Sequence, residues 1–425
     1  MSKKDHFQRL PFAVDLLNMV KTLPTPFSFG LDAEWGAGKT FFIDHVLMPL
    51  CVYEKFPCIV YNAFEHEKED DVFLSLMTSI LEQAQNLLNK NDATKKLDPA
   101  IANVVEKTAK VVATLSNILL NAGAKFLLKQ SLEELQKAVG DKTPDLAVLS
   151  KELENETAIF LKDKLKNGKT FKLLKNDFQQ SIKELACSLS ETHGRILVVI
   201  DELDRCSPHH ALKVFEATNH ILNSDGLIFM FSYNREQIEV LVEHVYGKQI
   251  NAGEYLQKFV SLNFKFPSIE PHSFKMANKL LMEERALKHN STFENNGILV
   301  NALSYISRWT HIKPMTPRQL QRYTSTTLTI SKKISYDLQD FLSNAEIATL
   351  TYFQVTNPSA LKKLLDHRTS TTELTQIMKE LQFDEFLPKQ PNRAENLSDF
   401  LNDTNQLSSS QRTEIYRLLE VFLTL

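Results

Sequence analysis

Lys39 and Thr40 follow Gly36 and Gly38 in the stretch Phe27–Val46, FSFGLDAEWGAGKTFFIDHV, and residues of these types in this order can hold a phosphate chain. In such a turn successive backbone N–H groups point inward at phosphate oxygens, assisted by the positive end of the helix that begins there. Lys39 then reaches the β- and γ-phosphates, and the Thr40 hydroxyl ligates magnesium. One position departs from the full pattern, because the residue six before Lys39 should be glycine and is Ala33. The loop is expected to tolerate it, since Gly36 and Gly38, nearer the phosphates, are kept.

A second constellation lies in Arg195–Cys206, RILVVIDELDRC. Its apolar run, Ile196–Ile200, suits a central parallel strand buried on both faces. A carboxylate at the carboxyl end of such a strand lies where ligands bind in open α/β sheets. Asp201 is therefore assigned to magnesium through its water shell, and Glu202 to orienting or deprotonating an attacking water. An acidic loop after any strand would look similar, but Lys39 and Thr40 about 160 residues earlier favour the chemical reading. The next apolar run, Leu227–Ser232, delivers Ser232, Tyr233, Asn234 and Arg235 to the same crevice. Asn234 either senses the γ-phosphate and positions water or caps a turn, and both readings stay open.

The elements that must hold these groups follow from periodicity and breakers. Leu10, Ala13, Leu16, Leu17 and Val20 are spaced for a helix that Pro24 and Pro26 stop, and Phe27–Leu31 then forms the first strand. Phe41–Leu50 continues the loop as helix. Cys58–Asn62 is a second buried strand followed by a polar turn, in which His66, Glu65, Glu67, Glu69 and Asp70 match no metal-ligand spacing. From Asp71 to about Ser190 the pattern is helical, a long insert between strands. Its most apolar part, Val111–Ala124, has 14 residues without a charge, short of the ~20 that cross a bilayer. Flanking lysines leave interfacial membrane contact as the weaker alternative to a packed bundle helix. Tyr255–Pro267 joins a short helix to an alternating strand. Helical text follows to the end, with Arg318 opening a helix after Pro317.

At 425 residues with 43% hydrophobic and 24% charged side chains, the composition is that of an ordinary globular protein of two or three domains. A net charge of −3 supplies no general attraction to nucleic acid. Cys51, Cys58, Cys187 and Cys206 are too few for a disulfide framework and point to a reducing, cytoplasmic setting. The basic start lacks the apolar core of a signal peptide. The expected organisation is 1–70 and 191–270 as two parts of one α/β core, 71–190 as helical insert, 271–335 as helical lid and 336–425 as a C-terminal helical region.

Several separated blocks together resemble the KAP family of P-loop ATPases, additional-strand nucleotidases related to the AAA+ and STAND groups. They are Glu34-Trp35-Gly36-Ala37-Gly38-Lys39-Thr40, Tyr61-Asn62-Ala63-Phe64, Ile200-Asp201-Glu202-Leu203-Asp204-Arg205-Cys206, Tyr255-Leu256-Gln257-Lys258-Phe259 and Thr316-Pro317-Arg318-Gln319-Leu320. The resemblance implies an α/β P-loop NTPase fold, a parallel sheet flanked by helices, with a large helical insert and a C-terminal helical lid. In that sheet the Leu227 strand separates the loop strand from the Asp201 strand. ATP and Mg2+ are the implied ligands, nucleotide being held by Glu34, Trp35, Gly36, Ala37, Gly38, Lys39, Thr40 and Phe41 and metal by Thr40 and Asp201. The implied catalytic set is Lys39, Glu202, Asn234 and Arg318, the last contacting the γ-phosphate and coupling hydrolysis to lid movement. Arg205 and Lys258 fit either phosphate-facing or structural ion-pair roles.

Two functions from different classes follow. One is an ATPase switch that controls an unidentified protein partner or effector, with homo-oligomerisation and the anti-phage role that the resemblance suggests. The other is a scaffold that binds nucleotide without significant hydrolysis. Retention of both Asp201 and Glu202 favours the first. A nucleic-acid-associated ATPase is a third reading, disfavoured by charge and by the lack of an aromatic–basic stripe.

Overall fold

The computed structural model describes residues 7–69, 71–89, 169–190, 192–220, 224–268, 315–333 and 351–359, with a few positions at 5, within 100–108 and at 279. The apolar stretch 111–124 and most of the C-terminal region lie outside these residues. The described residues fall into two compact units. One contains Arg9–Glu34 and Lys39–Pro267, and the other contains Trp35–Gly38 and the described part of Ser268–Leu425.

The first unit is built on five parallel strands, β1 (Phe27–Asp32), β2 (Cys58–Asn62), β3 (Ile196–Asp201), β4 (Leu227–Tyr233) and β5 (Leu262–Lys265), in the order β2-β3-β4-β1-β5. The Leu227 strand thus stands between the loop strand and the Asp201 strand, as the resemblance implies. Strands β3 and β4 are buried along their whole length, which is why both read as unbroken apolar runs with no polar alternation. The β2 edge is closed by a side chain from helix α4 (Val72–Asn89). Gln83 donates to the Val60 carbonyl at 2.7 Å and accepts from the Val60 N–H at 3.0 Å, satisfying backbone groups that an open edge would present. The opposite edge strand, β5, is largely exposed.

Helix α1 (Leu10–Thr22) starts with proline in its first turn and buries Ala13, Leu16, Leu17 and Val20 of the stripe its spacing predicts, while Leu10, at the helix start, is half exposed. Phe12 packs on Phe42 and Phe266 with ring centroids 5.5 and 5.9 Å apart. The Arg9 guanidinium lies 4.1 Å from the Phe266 ring centroid and donates to the Pro267 carbonyl, tying the start of α1 to the chain beyond β5.

After the loop, α2 (Lys39–Phe42) passes through a π-helical turn (Ile43–Leu47) into α3 (Met48–Tyr53). The expected helix is present, but with a wider turn in its middle. Pro49 supplies the physical reason, since it has no N–H to offer four residues back and its ring crowds that carbonyl. Of the insert, α4, α5 (Lys169–Leu189) and a few positions within 100–108 are described; α4 packs on α5 through Phe73 against Phe178 at 5.9 Å, and both helices bury side chains in the same apolar core as the strands. Helices α6 (Pro208–His220), α7 (Arg235–Tyr246) and α8 (Ala252–Leu256) complete the unit.

In the second unit, α9 (Pro317–Lys333) begins with a reciprocal cap. The Gln319 N–H donates to the Thr316 hydroxyl at 3.2 Å and the Thr316 N–H donates to Gln319 Oε1 at 2.8 Å. This T-x-x-Q box, with proline at the first helical position, explains why the helix opens where the sequence places it. Residues 351–356 are also helical. Among the described residues no helix is long and apolar enough to cross a membrane.

Candidate nucleotide-binding site

The loop from Ala33 to Lys39 leaves β1 at the carboxyl end of the sheet. Its first N–H, at Ala33, still donates to the Tyr233 carbonyl at 3.1 Å, so the chain stays in sheet conformation one residue past the strand. Ala33 is absent from the described residues with positive φ, whereas Gly36 and Gly38 have φ of 83° and 90°. The left-handed conformations that glycine provides cheaply are therefore needed at the two glycines and not at Ala33.

Within the second unit, the Gly36 carbonyl accepts the Arg318 N–H at 3.2 Å. A Cβ built on Gly36 would lie 2.9 Å from the Arg318 Cβ and 3.1 Å from the Thr316 hydroxyl, so the backbones come close only because Gly36 has no side chain. One on Gly38 would meet the Pro317 ring at an ordinary 3.7 Å. Trp35 is half exposed.

In the first unit, Lys39 is buried, and its ammonium donates to the Ala33 carbonyl at 2.5 Å and lies 3.7 Å from Asp204 Oδ2. Burial holds Lys39 below the ordinary lysine range, a shift opposed by the nearby carboxylates of Asp204, Asp201 and Asp32. The following residue, Thr40, donates from its hydroxyl to Asp201 Oδ2 at 2.7 Å, across 161 positions of sequence. Phe41 stacks edge-on against His45 with centroids 4.7 Å apart. Mg2+ prefers oxygen ligands and usually takes one or two protein groups beside substrate phosphates and water, so a hydroxyl–carboxylate pair suits it. Among the described residues no group of three or more His, Cys, Asp and Glu is placed to hold a metal. His66, from the polar turn, pairs with Glu69 at 2.7 Å and stacks on Tyr61.

Glu202 follows directly and adopts φ 59°, a left-handed backbone rare for a residue with a side chain. Its carbonyl accepts from the Arg205 N–H at 3.1 Å and from Cys206 Sγ at 3.7 Å, which fixes the turn. Its carboxylate is engaged on both oxygens, Oε1 by Arg205 Nη1 at 2.7 Å and Oε2 by Asn62 Nδ2 at 3.3 Å. Burial, with help from neighbouring carboxylates, pushes the Cys206 thiol up to about 12, so this cysteine packs as a small apolar group.

Asn234 is the N-cap of α7, its side chain accepting from the Gln237 N–H at 3.4 Å and its own N–H donating to Asp204 Oδ2 at 2.7 Å. Its side chain therefore does the work of the capping alternative. The Arg235 N–H donates to Asp32 Oδ1 at 2.9 Å. Arg205 is half exposed and takes the ion-pair role, and the Lys258 ammonium lies 4.8 Å from the Tyr255 ring centroid.

Asp204 and Asn62 stand in the blocks that carry the resemblance, but the sequence assigns neither a role. Asp204, the second aspartate of DELDRC, is buried between the Lys39 ammonium and the start of α7. Its signal in the sequence is an acid three residues after Asp201, within the block Ile200–Cys206. Asn62 ends β2 level with Asp201, and that register exists only once the strands pair.

A parallel sheet of this order, with a lysine- and threonine-bearing loop after β1 and a carboxylate at the end of β3 against that threonine, defines a P-loop nucleoside triphosphatase fold. The KAP family P-loop domain matches residues 9–375, and the chain belongs to that family. It is 25% identical over 178 residues, 41% of this chain, to the phage T7 exclusion protein of Escherichia coli (strain K12), and the match covers 23% of that protein. The chain thus spans about a quarter of the exclusion protein's length. It is also 25% identical over 195 residues to an uncharacterised protein of Methanocaldococcus jannaschii, covering 44% of this chain and 95% of that one.

Proposed function

We propose that this chain is a magnesium-dependent ATPase that acts as a molecular switch on an unidentified protein partner. The observation that carries the reading is the 2.7 Å contact between the Thr40 hydroxyl and Asp201 Oδ2, with Glu202 held in a left-handed turn immediately after. Thr40 and Asp201 would hold Mg2+, which when bound neutralises charge on the phosphate oxygens. Lys39 stabilises negative charge on the phosphate chain, the role implied for Arg318 as well. Glu202 orients the attacking water and accepts its proton. The likeness to a phage exclusion protein supports placing the switch in anti-phage defence.

Phosphate release by the purified chain, compared with Glu202→Gln, tests the reading. Turnover in wild type that falls at least tenfold in the variant, with nucleotide binding kept, is expected. Equal and negligible release from both sinks it. The second reading, a nucleotide-binding scaffold, is favoured by one specific observation: both Glu202 oxygens already have protein partners. In that case nucleotide stabilises the fold while no phosphate appears.

A further inference from the structure

Lys39 brings the only positive side chain of the loop from Ala33 to Lys39, and its ammonium is already engaged. It donates to the Ala33 carbonyl, approaches the Glu34 carbonyl at 3.5 Å and lies 3.7 Å from Asp204 Oδ2. The two carbonyls are neutral dipoles, so Asp204 is the counter-ion. Asp201 and Asp32 act on the Lys39 charge from beyond ion-pair distance. Both members of the Lys39–Asp204 pair are buried, with side chains 9% and 3% exposed, and charges attract far more strongly there than in water. The turn Leu203–Arg205 and helix α7 hold Asp204 in place, because the same Oδ2 accepts the Asn234 N–H at 2.7 Å. The carboxylate is therefore tied to the start of α7 and is not free to follow the ammonium.

For Lys39 to stabilise a phosphate chain, its charge must be shared away from Asp204, and the phosphates meet the Asp204 charge as they arrive. We propose that Asp204 is a positioning residue that acts through Lys39: as counter-ion to the ammonium it holds down the affinity for metal-free nucleotide, so that tight binding is confined to the magnesium complex, whose phosphates carry two fewer negative charges. Asp204 does not hold the metal, since it faces Lys39 and α7 while Thr40 and Asp201 form the hydroxyl–carboxylate pair. The inference rests on the nucleotide-binding reading above.

The test is titration calorimetry of the full chain with a non-hydrolysable ATP analogue, in excess magnesium and in excess chelator, on wild type, Asp204→Asn and Asp204→Glu. Asparagine keeps an oxygen for the Asn234 N–H and removes the charge. Asp204→Asn is expected to bind the metal-free analogue about ten- to hundredfold more tightly than wild type, the strength of one contact with a charged group, and the magnesium complex more tightly by a smaller factor. Asp204→Glu, which keeps the charge, should keep the wild-type ratio of magnesium-bound to metal-free affinity. A merely structural role for Asp204 would leave that ratio the same in all three proteins. Metal-free affinity that is unchanged or lower in Asp204→Asn, or that rises by the same factor with and without magnesium, overturns the proposal and leaves the function untouched. Removing one partner of a buried ion pair is destabilising, so Asp204→Ser repeats the measurement if Asp204→Asn does not fold. A wild type that binds the metal-free and magnesium-bound analogue equally overturns the proposal without need of a variant. A wild type that binds neither form overturns the function and this proposal together.

Discussion

Arg205 Nη1 lies 2.7 Å from Glu202 Oε1, so the carboxylate assigned to activating water is paired with a cation three residues further along its own turn. Arg205 is half exposed, and ion pairs of that kind contribute about 0.2–1 kcal/mol. Converted to a rate, that range corresponds to roughly a 1.4- to 5-fold effect. Arg205→Ala is therefore expected to raise phosphate release by up to about fivefold while leaving the KM for magnesium–ATP unchanged. Steady-state kinetics check this, and a fall in kcat would mean that Arg205 orients Glu202 productively.

Ala33 and Gly36 make opposite predictions although both sit in the loop. Ala33 has no positive φ, so Ala33→Gly only loosens the unfolded chain and should cost about 0.4–1 kcal/mol of stability with ATP affinity unchanged. Gly36 has φ 83°, and its added Cβ would meet Arg318 at 2.9 Å. Gly36→Ala should cost at least about 1–2 kcal/mol from the backbone alone and weaken nucleotide binding. Denaturant midpoints and nucleotide titration of the two variants separate the effects. An orders-of-magnitude gain in affinity for Ala33→Gly would show the native loop to be a degraded site.

His210 predicts how stability responds to acid. It is buried in α6 with Nε2 unpartnered, and burial lowers its pKa below the usual 6.5, against opposing contributions from the Glu67 charge and the Ala63 carbonyl. The unfolded chain therefore binds the proton more readily than the folded one between the lowered value and 6.5. The neutral imidazole's full stability is present above 6.5 and is lost as pH falls through that window. Urea midpoints at pH 7.5 and 5.5 should drop for wild type, and His210→Gln should show a smaller drop. An equal drop in both would assign the acid sensitivity to other groups.

What the chain of residues determines alone is local chemistry and local geometry. Gly36, Gly38, Lys39 and Thr40 declare a phosphate loop because the needed backbone freedom and side-chain reach are properties of those residue types at that spacing. The runs Ile196–Ile200 and Leu227–Phe231 declare strands covered on both faces, since only such strands lack polar alternation. Thr316, Pro317 and Gln319 contain the start of α9 in the same way. Tertiary structure decides which groups face one another across long sequence separations, because register and strand order are absent from any single segment. Pairing of β2 with β3 brings Asn62 to Glu202, the turn Leu203–Arg205 lifts Asp204 toward Lys39, and pairing of β4 with β3 sets an unpartnered Ser232 level with Asp201. Asn234 shows the limit from the other side. Its residue type suits a phosphate sensor and a helix cap equally, and the packing of α7 on the end of β4 engages it as the cap.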